Sequence, residues 1–408
     1  MALHPLHRLW RVLPAARRRA AFLRTASLLA PRPDWPPPPA QGGIVVGGEI
    51  GRASGLGEGA RLMHAALGKL GVPSWTLDCA MGVPGETVWP TQQVRPAASA
   101  PLVIHVNAPM IAAAFLRLPR GFLRGRRVVG YWAWELPVVP DAWAAGAPFV
   151  HEIWTPSSFS AAALERLAPG RVRVVPHPVA AVPPVPSALT RADFALPETA
   201  VVVLVSFSLA SSFERKNPLA AIAAFRAAFG DRSDRVLVLK IVHAGHAPAD
   251  LTALRQAAGA AANIVFETRV LPAADSHALT RCADIVLSLH RSEGFGLVPA
   301  EAAVLGRAVV ATDFSGTTDF LDAGCAMPVA YRLVPARDPR GVFEAPGAIW
   351  AEADVGAAAA ALLALAGSPE LRARLGLAAQ AQAGRLLGTD GLAAAVRGLG
   401  LPVGARAA

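Results

Sequence analysis

Residues 283–313 read ADIVLSLHRSEGFGLVPAEAAVLGRAVVATD. The apolar run at 285–289 has the length and branched content of a buried strand. A loop with Gly294 and Gly296 around Phe295 follows, then an alanine-rich helical stretch opening near Pro299, then a second apolar run. Strand, glycine loop, helix and strand make a parallel βα repeat unit. The glycines let backbone approach a ligand closely, and N–H groups at a helix start favour phosphate. Glu293 stands just before the loop and Glu301 within the predicted first helical turn, so two carboxylates can reach a bound molecule from opposite sides. A nucleotide-sugar suits this: its hydroxyl-rich ends want acceptors and its diphosphate wants N–H donors.

The same rhythm extends in both directions. Upstream of about 186, GGIVVGG, APLVIHVNA, RRVVGYWAWE and HEIWT are strands with helical stretches between them. Downstream, AVVVLVSFS, DRVLVLKIV, ANIVFE, ADIVLSL and RAVVAT repeat the pattern. Continuous apolar strands alternating with helices indicate parallel sheets covered on both faces. The proline-rich, aperiodic stretch at 179–200 separates the two series. The expected organisation is a basic, Pro-rich extension at 1–41, an N-terminal Rossmann-like domain at 42–186, a C-terminal domain at 187–385 and a helical tail at 386–408. The two doubly wound domains would face a cleft.

Composition bounds the rest. The 408 residues are 53 % hydrophobic and 17 % charged, which excludes a disordered chain. No apolar run of about 18 residues is present, and the start lacks the compact apolar stretch of a secretory signal. Cys79, Cys282 and Cys325 are far apart and form no paired motif, which suits a reducing cytoplasm. The net charge of +10, nearly all arginine, favours anionic partners without identifying one. Residues 6–29 mix arginine with Leu, Trp and Phe, and PRPDWPPPPA at 31–40 reads as a stiff spacer. An amphipathic segment on the inner membrane face, or an extension packed loosely on the domain, are the two readings.

The segment EGFGLVPAE, two glutamates with seven residues between them, set between a strand and a helix, resembles the signature of the family-four retaining glycosyltransferases of the GT-B fold. The resemblance implies a donor site in which Glu293 contacts the sugar and Glu301 the ribose, with Gly294, Phe295, Gly296 and Leu297 forming the loop. SFSLASSFERKNPLAAIAAF at 206–225 is similar to the family's loop whose basic pair binds the donor diphosphate, here Arg215 and Lys216. GGEIGRASGLGEGARL at 47–62 resembles the N-terminal glycine loop, with Gly55 and Gly57 matching its closest part. Lys240 and Arg269, at strand ends near the cleft, are further donor contacts on this reading.

The acceptor side is less marked. GYWAWELPVVPDAW at 130–143 offers Trp132, Trp134, Glu135, Asp141 and Trp143 for stacking and carboxylate hydrogen bonds. Many family members carry a histidine in this neighbourhood; here Glu135 and aromatic residues stand there, and His105 is a nearby alternative. The family implies retention at the anomeric carbon, with the departing phosphate helping to take the acceptor proton. The expected activity is hexosyl transfer from a nucleotide-diphosphate sugar to a glycan or lipid-linked acceptor in cell-surface polysaccharide synthesis, with GDP-mannose the favoured donor.

No D-x-D triplet occurs, and no metal or other cofactor is expected. His243 and His246 lack an evident third ligand. No nucleic-acid motif is visible. Two alternatives stay open: a GT-B nucleotide-sugar epimerase or hydrolase, and a non-catalytic basic binding module with a degenerate cleft.

Overall fold

The computed structural model describes residues 14–52, 54–79, 96–343 and 345–404. Residues 1–13 of the basic extension lie outside the described residues. Helix α1 (Ala15–Leu29) begins directly after Pro14, which cannot extend a helix in the N-terminal direction.

The first sheet is assembled from β1 (Ile44–Gly48), β2 (Ser74–Asp78), β3 (Leu102–His105), β4 (Val128–Tyr131), β5 (Glu152–Thr155) and β6 (Val172–Val174). All are parallel, in the order β2-β1-β3-β4-β5-β6. Helices α2 (Gly55–Lys69), α3 (Ala108–Phe115) and α4 (Ser158–Leu164) connect them. Strands β1, β3 and β4 are buried along their whole length, as the unbroken apolar runs require of a sheet covered on both faces.

The second sheet contains β7 (Val201–Ser208), β8 (Arg235–Val242), β9 (Ile264–Glu267), β10 (Ile285–Ser288), β11 (Ala308–Thr312) and β12 (Met327–Val329). Its order is β12-β11-β10-β7-β8-β9, again parallel. The helices here are α5 (Phe213–Lys216), α6 (Pro218–Phe229), α7 (Pro248–Ala258), α8 (Ala273–Cys282) and α9 (Leu297–Val304). The strand order in each sheet reverses beside its first strand. That reversal opens a crevice at the carboxyl ends of the strands, where α/β folds bind ligands. Two doubly wound Rossmann-like domains are therefore present.

Three features tie the domains together. An antiparallel hairpin, β13 (Tyr331–Pro335) and β14 (Ile349–Ala353), leaves the second domain, and its Phe343, Ala348 and Trp350 join the first-domain core. Helices α10 (Val355–Gly367) and α11 (Pro369–Leu386) cover the second sheet. Helix α12 (Asp390–Gly398) then crosses back, packing Leu392, Val396 and Leu399 against Val46, Met63 and Leu67 of the first domain.

The stiff spacer expected at 31–40 lies along the first domain. Asp34 accepts a hydrogen bond from Gly125 N at 2.8 Å, and its carbonyl lies 2.8 Å from His151 Nε2. Trp35 packs on His151, and Arg171 lies over the Trp35 ring. Ala26 and Ala30 are buried in the first-domain core. Prolines pre-set an extended backbone, and the polar and aromatic side chains among them find partners on the domain surface.

Candidate active site at the domain seam

Helix α9 starts at Leu297, two residues before Pro299, because Gly296 takes a left-handed φ of 98° that turns the chain into it. Glu301 therefore lies in the second helical turn instead of the first. The loop ahead of α9 is fixed by the segment after β11: Ser315 Oγ accepts from Glu293 N at 2.8 Å, and Gly316 N donates to Glu293 O at 2.9 Å. A side chain at Gly316 would come within 2.5 Å of Gly294 O, so this approach needs glycine.

The first domain grips the same loop. Ser157 Oγ donates to Gly294 O at 2.6 Å while capping α4 through Ser160 N. Ser160 Oγ donates to Trp134 O at 2.6 Å. Ser158 N donates to Asp319 at 2.7 Å, and Ser292 Oγ donates to Glu135 O.

At the centre of this seam sits a charge cluster. Ser212 caps α5, which delivers Arg215 and Lys216 together. Arg215 Nη1 donates to Glu293 Oε2 at 2.9 Å and to Ser292 O at 2.8 Å, and Lys216 Nζ pairs with Glu293 Oε1. Arg215 Nη2 lies 3.9 Å from Glu135 of the first domain. Burial alone would raise the Glu293 carboxyl; the Lys216 and Arg215 charges outweigh it and hold the group well below the ordinary carboxylate range. Burial lowers Lys216 despite Glu293, and it raises Glu135 despite Arg215.

Glu301 stands apart from this cluster. Burial, with the charge of Glu58 on α2, pushes its carboxyl up to about 8, so it is largely protonated at neutral pH. Gly55 approaches α9 from across the seam: a Cβ there would lie 3.7 Å from Leu297. Gly57 N donates to Ser54 Oγ at 3.1 Å, and a Cβ at 57 would collide with the Arg52 and Glu49 carbonyls at 2.6 Å. Phe295 is buried against His177 and Phe320.

Other expected residues fall elsewhere. Lys240 Nζ donates to Arg269 O at 2.6 Å, and Arg269 is held by Glu267, so these two form a separate cluster beside β9. Trp132 and Trp134 do not offer faces to a sugar. Both are buried in the first-domain core, where Trp143 packs edge-on against each, and Trp134 also stacks on Phe343. Phe343 of the hairpin insert, whose reach no local pattern announced, covers Trp134. Asp141 projects fully into solvent toward Arg166. His105 is buried, stacked 4.2 Å from Tyr131, with neither ring nitrogen partnered, and burial keeps it neutral. Among the described residues no set of three metal-ligating side chains gathers, and no helix is long and apolar enough to cross a membrane.

Asp338, in the hairpin, is a site residue the motifs did not single out. Its buried carboxylate accepts from Val342 N at 3.0 Å and Phe343 N at 3.2 Å, and its charge acts on Arg215. The Phe343 ring it positions lies 5.2 Å from the Arg215 guanidinium.

Two facing Rossmann-like domains with a glycine-aromatic-glycine loop between them define a GT-B protein. Residues 201–352 match the family "Glycosyl transferases group 1". No curated protein sequence matches the chain. Similar solved structures include HepE of Anabaena in complex with UDP-glucose, at 14 % identity and a TM-score of 0.60, covering 88 % of this chain and 100 % of that one. Sucrose-phosphate synthase from Thermosynechococcus elongatus is similar at 16 % identity and TM-score 0.59, over 87 % and 98 % of the two chains. WaaG, a glycosyltransferase involved in lipopolysaccharide biosynthesis, is similar at 16 % and 0.54, over 87 % and 98 %. At these identities the likeness is one of fold.

Proposed function

We propose that the protein is a retaining, metal-independent glycosyltransferase that moves a hexosyl group from a nucleotide-diphosphate sugar to a glycan or lipid-linked acceptor. The observation that carries this reading is the Arg215–Lys216–Glu293 cluster at the domain seam. A buried arginine and a half-buried lysine beside a glycine loop can bind a diphosphate and stabilise the charge that builds on it as it departs. Glu293 would turn to the donor sugar and Glu301 to the ribose, while the first domain holds the acceptor near Glu135. HepE, crystallised with UDP and with UDP-glucose, supports a nucleotide-sugar donor.

The destination we favour is cell-surface polysaccharide, in line with the lipopolysaccharide role of WaaG. Association with the inner membrane face fits α1, where Phe22, Leu28 and Leu29 are exposed alongside Arg17 and Arg24. Charge reversal at Arg17 and Arg24 should then weaken binding to anionic vesicles; unchanged binding removes the membrane role.

The deciding experiment incubates the protein with UDP- and GDP-sugars, with and without glycan and lipid-linked acceptors, and follows nucleotide release. Acceptor-dependent release supports transfer. Acceptor-independent turnover favours the epimerase or hydrolase, and no turnover with any pair favours a binding module.

A further inference from the structure

Arg215 joins carboxylates from both domains. Glu293, from its own domain, lies at 2.9 Å, and Glu135, from the loop after β4, lies at 3.9 Å. Lys216 pairs with Glu293, and the Asp338 charge acts on Arg215 from the hairpin. His290, the remaining titratable group near Glu293, is buried and held neutral by that burial. Two cations thus already face three carboxylates before any anionic ligand arrives. Arg215 Nη2 also donates to Ser211 Oγ at 3.0 Å, and a dianionic diphosphate joining this set competes with the carboxylates for the two cations.

The two nearest carboxylates are not equally free to leave. Glu293 is fixed through its own N–H by Ser315 and through its carbonyl by Gly316. Glu135 is fixed only through its backbone carbonyl, which accepts from Ser292 Oγ. Its side chain is the more exposed of the two, 22 % against 10 %, and its contact with Arg215 is the longer. Burial has already raised its proton affinity, a sign that the anion is poorly stabilised where it lies.

We propose that Glu135 exchanges partners during the reaction: in the empty protein it occupies Arg215, and when the donor's diphosphate takes Arg215 it is released to accept a hydrogen bond from the acceptor's attacking hydroxyl. The inference rests on the donor reading above and deepens it. Donor binding then favours acceptor binding, because the diphosphate frees from Arg215 the carboxylate that would hold the acceptor. It also gives a function to the residue standing where many relatives of this resemblance carry a histidine.

The competing view is that Glu135–Arg215 is a plain interface ion pair. The two views predict opposite signs for one measurement. Titration calorimetry with UDP and with GDP, on the wild type and Glu135→Gln, reads nucleotide affinity directly. Partner exchange predicts that the variant binds the preferred nucleotide about tenfold tighter, as expected for removing one competing charge worth about one pKa unit. It also predicts that acceptor-dependent turnover at saturating donor falls, with a raised acceptor KM. Equal or weaker nucleotide binding in the variant overturns the proposal. Should Glu135→Gln fail to fold, Glu135→Asp, which draws the carboxylate back from Arg215 by one methylene, must shift affinity in the same direction. If neither nucleotide binds the wild type or any variant, the donor reading itself fails, and the exchange with it.

Discussion

The Ser157 hydroxyl of the first domain donates a 2.6 Å hydrogen bond to the Gly294 carbonyl of the second, inside the loop that carries Glu293. The same oxygen caps α4. Ser157→Ala removes both interactions and leaves a buried carbonyl with only the 3.3 Å contact of Ser160. The expected loss is about 1–3 kcal/mol of unfolding free energy. Denaturant unfolding of the two proteins measures it, and an unchanged midpoint would mean that the seam does not hold the loop.

Glu293 neutralises the buried Arg215 and the half-buried Lys216, so its loss should separate stability, binding and turnover. Glu293→Gln leaves Arg215 and Lys216 undercompensated. Removing one partner of a buried pair costs about 3–5 kcal/mol, and here Glu135 and Asp338 offset part of that. Nucleoside diphosphate binding should hold or tighten while turnover falls at least about 100-fold, because the lost contact matters as the sugar becomes cation-like. Calorimetry beside steady-state kinetics separates the two. Weakened nucleotide binding with unchanged turnover would reverse the assignment.

The pH dependence of stability should carry two opposite signatures. Glu301 is pushed up to about 8 from an ordinary 4.5. Between those values the folded protein keeps a proton that the unfolded chain has lost, so this contribution falls as pH rises and levels off above 8. Glu293 is held below the ordinary range, so its contribution is present above about 4.5 and is lost as pH falls further. Thermal unfolding of Glu301→Gln should therefore decline less than the wild type between pH 5 and 8. Parallel curves would show that Glu301 titrates normally.

Much of this arrangement was legible in the sequence. Unbroken apolar strands told of covered parallel sheets, and EGFGLVPAE with FERKNP brought Glu293, Arg215 and Lys216 to one point because both segments follow neighbouring strands, β10 and β7. What escaped depends on long-range contact. The 331–353 hairpin has no marked periodicity, yet its Phe343 and Trp350 decide that Trp134 is core. Likewise, nothing near Leu392 or Val396 says that α12 returns to the first domain. The bond from Ser157 to Gly294 spans the whole seam, and no local pattern states it.

Metal independence is testable on the same grounds. On the proposed donor reading, Arg215 and Lys216 supply the positive charge that a divalent ion would otherwise lend a diphosphate. Transfer activity should persist in EDTA, and loss restored by manganese or magnesium would contradict it.

The central claim is that Arg215 and Lys216 bind a donor diphosphate. Calorimetric titration of wild type, Arg215→Ala and Lys216→Ala with UDP and GDP addresses it most directly, with circular dichroism to verify the fold. The account predicts saturable binding of one nucleotide to the wild type and at least about tenfold weaker binding to each variant, the scale of about 1.4 kcal/mol for one charge-assisted contact. Equal affinity in all three folded proteins would contradict it.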